Sequence, residues 1–364
     1  MPGSSKPVMK QLRNNAIRFG LEALYFSGAH HLLRPLLAGV GAIFMLHQVR
    51  PARDDEFQPN HHLEVTPDFL RATLQHLRSH DIDIISMDEV QERLAQGRHD
   101  GRFGRRFAAF TFDDGYRDNR DFALPVLREF DAPATIYVAS DFADGEGRLW
   151  WIALEEVIAR TDHVDVTIGQ SALRLDATTS QAKQATFDRL HDWLRALPGE
   201  HDLQREITAL CTRYDVDLAA LCRAQCMSWD ELKALRDEPL LTIGAHTLSH
   251  CNLAKQSEAT ATLEMAESRA RIEQALGRPV LHFAYPYGDR CAADNREFAL
   301  AASAGFKTAV TTRPGMLFAE NASHLTALPR VSLNGNYQDA RILPVLTSGA
   351  ATAMWNGFRR IAAA

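Results

Sequence analysis

Two carboxylates stand side by side in FTFDDGYRDN (Phe110 to Asn119), where Asp113 and Asp114 follow an apolar run and precede a glycine. A second stretch, GAHTLSHCNL, sets His246 and His250 four residues apart. On one helical turn, side chains at that spacing share a face, about 5–6 Å apart at Cβ, and both imidazoles can reach one metal. Spacing alone is weak evidence, because 15 histidines in 364 residues give about 0.6 such pairs by chance. The chain holds another, His76 and His80, in the body of an amphipathic helical pattern, where they read as surface histidines. A third stretch, FAYPYGD (Phe283 to Asp289), ends an apolar run with a proline and a glycine. These fix a turn whose free N–H groups can hold an oxyanion, although such a motif taken alone is only a turn.

The three stretches make one site only if the fold brings them together. From residue 42 onward short apolar runs (AIFMLH, DIIS, FAAFTF, ATIYVA, LLTIGAH, LHFAYP, KTAVTT, RVSL) alternate with helical patterns, which predicts βα units around a parallel sheet. Thr66 and Pro67 open one helix, and Ser228 with Glu231 forms a capping box that opens another. In a barrel of parallel strands the carboxyl ends converge on one mouth, and all three stretches end a predicted strand. Together they offer two histidines and one carboxylate for a divalent metal, a second carboxylate beside it, and an oxyanion donor. Three protein ligands with a position left for water is the catalytic rather than the structural zinc pattern.

At this point the chain resembles a known family, the polysaccharide deacetylases, or NodB-homology domain of carbohydrate esterase family 4. The likeness rests on TFDDGY (Thr111 to Tyr116), HTLSH (His246 to His250) and YPYG (Tyr285 to Gly288) in the family's order, with weaker support from FMLHQV, LWW, AVTT and LPRVSL, and covers roughly residues 40–335. It implies a distorted (β/α)7-8 barrel and a metal-dependent hydrolase that removes acetyl groups from N-acetylated sugars. It also implies that Asp113 is the catalytic base, that Asp114, His246 and His250 hold the metal (zinc first, with cobalt, nickel or manganese as alternatives), and that the Tyr287 N–H is the oxyanion donor.

Two departures stand out. Ala284 occupies the place of an arginine that pairs with the catalytic aspartate in better-known members, and LTALPRVSL lacks the family's late histidine acid. His47, ending the first strand, is the positional candidate for the acid or for a substrate contact, with a rim histidine bonded to backbone as its alternative; His324 is a weaker candidate. Arg330 either replaces the missing arginine from a neighbouring strand or is an exposed salt-bridging residue. Trp150 and Trp151 either anchor inserted helices or stack on sugar. The departures leave two other functions open: a non-catalytic carbohydrate-binding protein of this fold, and a hydrolase of non-sugar C–N bonds.

The expected organisation is an N-terminal helical extension (1–40), a barrel (41–335) interrupted by a mainly helical insertion (150–226), and a C-terminal helical tail (336–364). A net charge of −6 without basic banding argues against nucleic acid. Five unpaired cysteines fit a reducing compartment. The longest apolar stretch, LLAGVGAIFML, is too short to span a bilayer, and no export signal is evident. The expected location is cytoplasmic, with peripheral membrane association left open: the first ~35 residues could lie on a membrane or a partner, or cap the fold. The sugar and the oligomeric state are not legible.

Overall fold

Near-continuous apolar runs are what strands covered on both faces require, and eight such runs are parallel strands in the computed structural model, which describes residues 5–99 and 105–359. They are β1 (Gly41–Leu46), β2 (Asp83–Ile84), β3 (Phe107–Phe112), β4 (Ala134–Val138), β5 (Leu241–Ala245), β6 (His282–Ala284), β7 (Thr308–Pro314) and β8 (Leu328–Ser332). Their order is β1-β8-β7-β6-β5-β4-β3, and β3 pairs back to β1 along all six residues, Gly41 opposite Phe107 through Leu46 opposite Phe112, so seven strands close a barrel. Short β2 lies outside this closure, paired with Phe107 and Ala108 of β3, below the point where β4 pairs with Phe110 to Phe112. The structure is therefore a distorted (β/α) barrel, as expected.

Alternation along each strand sorts side chains between two apolar clusters. Ala108, Phe110 and Phe112 pack outward with residues of the surrounding helices, such as Leu70 and Leu74 of the helix Pro67–Ser79. Phe107 and Ala109 join Ile43, Tyr137, Ala284, Val310 and Leu328 in the second cluster. Thr111 and Asp113 continue the Phe107 and Ala109 row, so the first aspartate is the next inward position after the strand ends.

The caps form as predicted. The Thr66 hydroxyl accepts from the Phe69 N–H at 3.2 Å, and Ser228 and Glu231 exchange both capping-box bonds. Glu231 also receives Arg117 and Arg120, each at 2.7 Å, which ties the segment after the insertion to the stretch after β3.

Between β4 and β5 lie the helices Trp150–Ala159, Ser180–Ala196, Glu200–Arg213 and Leu218–Gln225 and the antiparallel hairpin His163–Ile168 with Ser171–Asp176. Their own apolar core includes Trp150, Leu154, Phe187 and Ile207, and it is continuous with Tyr116 and Phe142 at the barrel mouth. The helix Ser5–Phe26 rests on the barrel layer through Leu21, with Ile17 and Leu24 beside it. The last helices, Ile342–Thr347 and Ala350–Trp355, pack nearby; the outermost residues of the two extensions, 1–4 and 360–364, lie outside the described residues. All five cysteines are free, four of them buried and Cys291 exposed. Among the described residues no helix is long and apolar enough to cross a membrane.

Candidate active site at the barrel mouth

Asp113 follows β3 directly and its N–H donates to the Leu46 carbonyl of β1 at 3.0 Å, so the sheet ladder itself sets its position. Its carboxylate is buried and receives Arg330 of β8 as a fork, Nη1 to Oδ1 and Nη2 to Oδ2, each at 2.7 Å. The same guanidinium donates to Thr111 Oγ1 at 3.1 Å and, through Nε, to the Thr311 carbonyl at 2.8 Å, which locks it in the barrel. Burial alone would push the Asp113 pKa up; the Arg330 guanidinium, by its charge and its two hydrogen bonds, outweighs it and holds the pKa below the ordinary value. Arg330 is fully buried, so the exposed alternative is excluded, and it supplies from β8 the partner that Ala284 on β6 cannot.

Asp114 turns away from its neighbour because its backbone is left-handed, with φ 73°. Its Oδ1 lies 3.4 Å from His246 Nε2 and 3.2 Å from His250 Nε2, and it is a buried acceptor with no hydrogen-bond donor. His246 Nδ1 lies 2.7 Å from the Ala284 carbonyl, which can only accept; Nδ1 therefore carries the proton, and the Nε2 lone pair faces Asp114. One ligand atom from each of the three residues falls within 4.8 Å of the others, the only such group of His, Cys, Asp and Glu among the described residues. Acceptor lone pairs gathered in a buried pocket repel one another unless a cation sits among them, so this donor set fits a divalent metal.

The local geometry of the histidine pair differs from expectation. His246 and His250 share no helical turn: the chain after β5 is irregular, with Thr247 and His250 at φ 66° and 59°. The His250 N–H donates to Thr247 Oγ1 at 2.9 Å, and this turn rather than a helix brings the ring centroids to 5.0 Å. Tyr287 is also left-handed, at φ 62°. Thus four of the eight described non-glycine residues with positive φ line this mouth, a strain of about 1–3 kcal/mol each that surrounding contacts must hold.

Those contacts come from the insertion. Trp150 Nε1 donates to the Tyr287 hydroxyl at 2.9 Å, Trp151 Nε1 donates to the Tyr116 hydroxyl at 3.0 Å, and the Arg195 guanidinium stacks on the Tyr287 ring at 3.9 Å. Trp151 also packs on the His250 ring, centroids 4.9 Å apart. Both tryptophans are buried, so they brace the site and do not present a face to sugar. Gly288 keeps the Tyr287 turn tight, because a Cβ there would lie 2.6 Å from the Thr312 nitrogen. No described residue accepts from the Tyr287 N–H.

His47 is partly exposed at the rim, 3.9 Å from Asp113 Oδ2, and desolvation first, then Arg330 and His246, hold its pKa below 6.5. His324 is not brought here; it is exposed in the β7–β8 connection, where the adjacent Leu325 carbonyl bonds to the strand start at Ala309. The Arg330 partnership and the tryptophan–tyrosine bonds were not derivable from local pattern. The available signal was an arginine in an otherwise apolar strand run.

A family model described as polysaccharide deacetylase matches residues 100–309. In fold the chain is similar to the Streptococcus pyogenes deacetylase PplD in complex with acetate (TM-score 0.53, 19% identity, covering 81% of this chain and 92% of that one). It is also similar to BC0361, a polysaccharide deacetylase from Bacillus cereus (0.53, 16%, 84% and 68%), and to IcaB from Ammonifex degensii (0.51, 16%, 85% and 97%). At such identities these likenesses speak for the fold alone. Comparison with curated proteins finds no match.

Proposed function

The chain belongs to the polysaccharide deacetylase family, and on that premise we propose that it is a metal-dependent hydrolase removing N-acetyl groups from a glycan or oligosaccharide. One observation carries the reading: the unsatisfied Asp114 Oδ1 faces two imidazole nitrogens while the adjacent Asp113 is held apart by Arg330. Asp114, His246 and His250 would hold the divalent cation, with zinc as the first choice for this ligand set. When bound, such an ion polarises an amide carbonyl and lowers the pKa of water.

The chain's own groups do the rest. Asp113 stays ionised next to Arg330, and each of its oxygens keeps a further lone pair with which to take the proton of the attacking water. The fork from Arg330 fixes the direction in which that lone pair points. The free Tyr287 N–H donates to the oxygen that gains charge as the carbonyl becomes tetrahedral. His47, 3.9 Å from Asp113 Oδ2, would protonate the leaving amine or contact the substrate. Arg330 answers one of the two departures behind the non-catalytic reading, since the partner missing at Ala284 is present on another strand; the absent late histidine is the other.

Acetate release from N-acetylglucosamine oligomers, with Asp113→Asn as control, tests the proposal. Turnover by the wild type and not the variant supports it. Equal, background-level release by both would leave a binding protein or a hydrolase of non-sugar C–N bonds, which a simple-amide substrate separates.

A further inference from the structure

Nine large hydrophobic residues are exposed among those described, and seven of them lie between residues 19 and 36 or 354 and 358. They share one pole. The helix Ser5–Phe26 is docked by Ile17, Leu21 and Leu24. Phe19 and Phe26, seven residues apart and so on a common face, are 73% and 70% exposed. The helix therefore has a second apolar side that the fold does not cover. Beside it stand Leu32 of the helix Ala29–Leu37, 82% exposed, with Trp355 and Phe358, 55% and 66% exposed. Close packing joins the pieces: a Cβ on Gly20 would lie 3.1 Å from Met354 Cε, and one on Gly349 would lie 2.0 Å from the Leu37 carbonyl oxygen.

Described arginines flank the pole, Arg34 on the helix Ala29–Leu37, Arg106 before β3 and Arg359 beside Phe358, whereas the first half of the helix Ser5–Phe26 runs toward the other end of the barrel, where the Tyr337 hydroxyl donates to the Asn14 carbonyl. Arg34 and Arg106 have no acidic partner among the described residues; Arg106 donates only to the Thr347 carbonyl, at 2.7 Å. Burial first and then Arg34 bring the Arg106 pKa down to about 10. His76, close enough to feel both arginines, adds no negative charge.

We propose that this apolar, arginine-flanked pole docks on the surface of an anionic phospholipid bilayer. Exposed Phe, Leu and Trp next to Arg is the composition of a surface that lies in the bilayer interface, and Arg34, Arg106 and Arg359 turn this pole toward an anionic one. The helix Ala29–Leu37 leads into the first residue of β1 and Arg106 directly precedes β3, whereas Asp113 follows the last residue of β3. The patch therefore lies at the amino-terminal end of the barrel, about 20 Å of strand away from the mouth, and docking leaves the mouth facing away from lipid. This inference does not depend on the proposed reaction.

Co-sedimentation of the full chain with phosphatidylcholine vesicles, with and without phosphatidylglycerol, tests it. Binding is expected only with the anionic lipid, weakening as salt rises and falling about fivefold for each of Arg34→Gln and Arg359→Gln. Trp355→Ser with Phe358→Ser should abolish it without changing the melting temperature, since both side chains are exposed; if that pair does not fold, the arginine variants and the salt titration decide alone. Absence of binding to either vesicle, or equal binding to both, overturns the proposal. So does a concentration-dependent dimer that Trp355→Ser with Phe358→Ser dissolves, because a second copy would then cover the patch.

Discussion

His246 and His250 lie at the end of a barrel strand facing a buried carboxylate; His76 and His80 have the same spacing but lie on the last turn and cap of the helix Pro67–Ser79. Proximity does not separate the pairs, since the ring centroids are 5.0 Å apart in the first and 4.1 Å in the second. What differs is what else each nitrogen meets. The Ala284 carbonyl fixes the His246 tautomer and leaves Nε2 toward Asp114, whereas His80 Nδ1 is spent on the His76 carbonyl at 2.8 Å and His76 Nε2 on Thr347 Oγ1 at 3.2 Å. A metal site needs a third donor and oriented lone pairs, and only the carboxyl ends of the strands supply both. His76 is also half-buried against the last helices, not a surface residue as its pattern predicts.

The comparison can be broken most directly by truncating one member of each pair. His250→Ala is expected to lose the bound metal and reduce acetate release to background, while His80→Ala leaves both unchanged; metal analysis with an acetate assay reads the difference. Asp113→Asn should keep the metal and lose roughly 10²–10⁴-fold in turnover, the usual worth of a positioned base, by steady-state kinetics. A smaller effect concerns the fork. Arg330→Met leaves a buried carboxylate unpaired and should cost about 3–5 kcal/mol in denaturant unfolding, and Asp113→Leu in the same chain should restore most of it.

The control pair offers the smallest effect, one of pH. Burial first, then His80, Arg106 and Arg34, hold the His76 pKa down to about 4, so the folded state favours its neutral form. A depressed histidine contributes stability that is full above its ordinary 6.5 and is lost as pH falls toward 4. Wild-type stability should decline across that window by no more than about 3 kcal/mol, and His76→Gln should flatten the decline in melts at pH 7 and pH 4.5.

How much of this was legible follows from the range of each interaction. The barrel could be read because strands covered on both faces are continuous apolar runs, and the Thr66 cap and the Ser228 capping box because they are local. The clustering of Asp113, Asp114, His246 and Tyr287 could be anticipated because each follows a strand, which fixes its end of the barrel without any knowledge of loop shape. The turn after β5 was beyond reach: a spacing of four suits a helix, and the left-handed His250 is held by the Thr247 hydroxyl and by packing against Trp151, Phe142 and Tyr287, none of which the spacing reveals. Arg330 remained undecided because its partner is 217 residues away and no periodicity relates them. The tryptophans bury for a similar reason, since Tyr116 and Tyr287 hydroxyls from the barrel satisfy their N–H groups.

Metal content of Asp114→Asn measured beside that of Asp113→Asn tests the division of labour between the two carboxylates. Near-stoichiometric metal in Asp113→Asn and a loss in Asp114→Asn are the predicted result. Metal retained in full by Asp114→Asn would contradict the account.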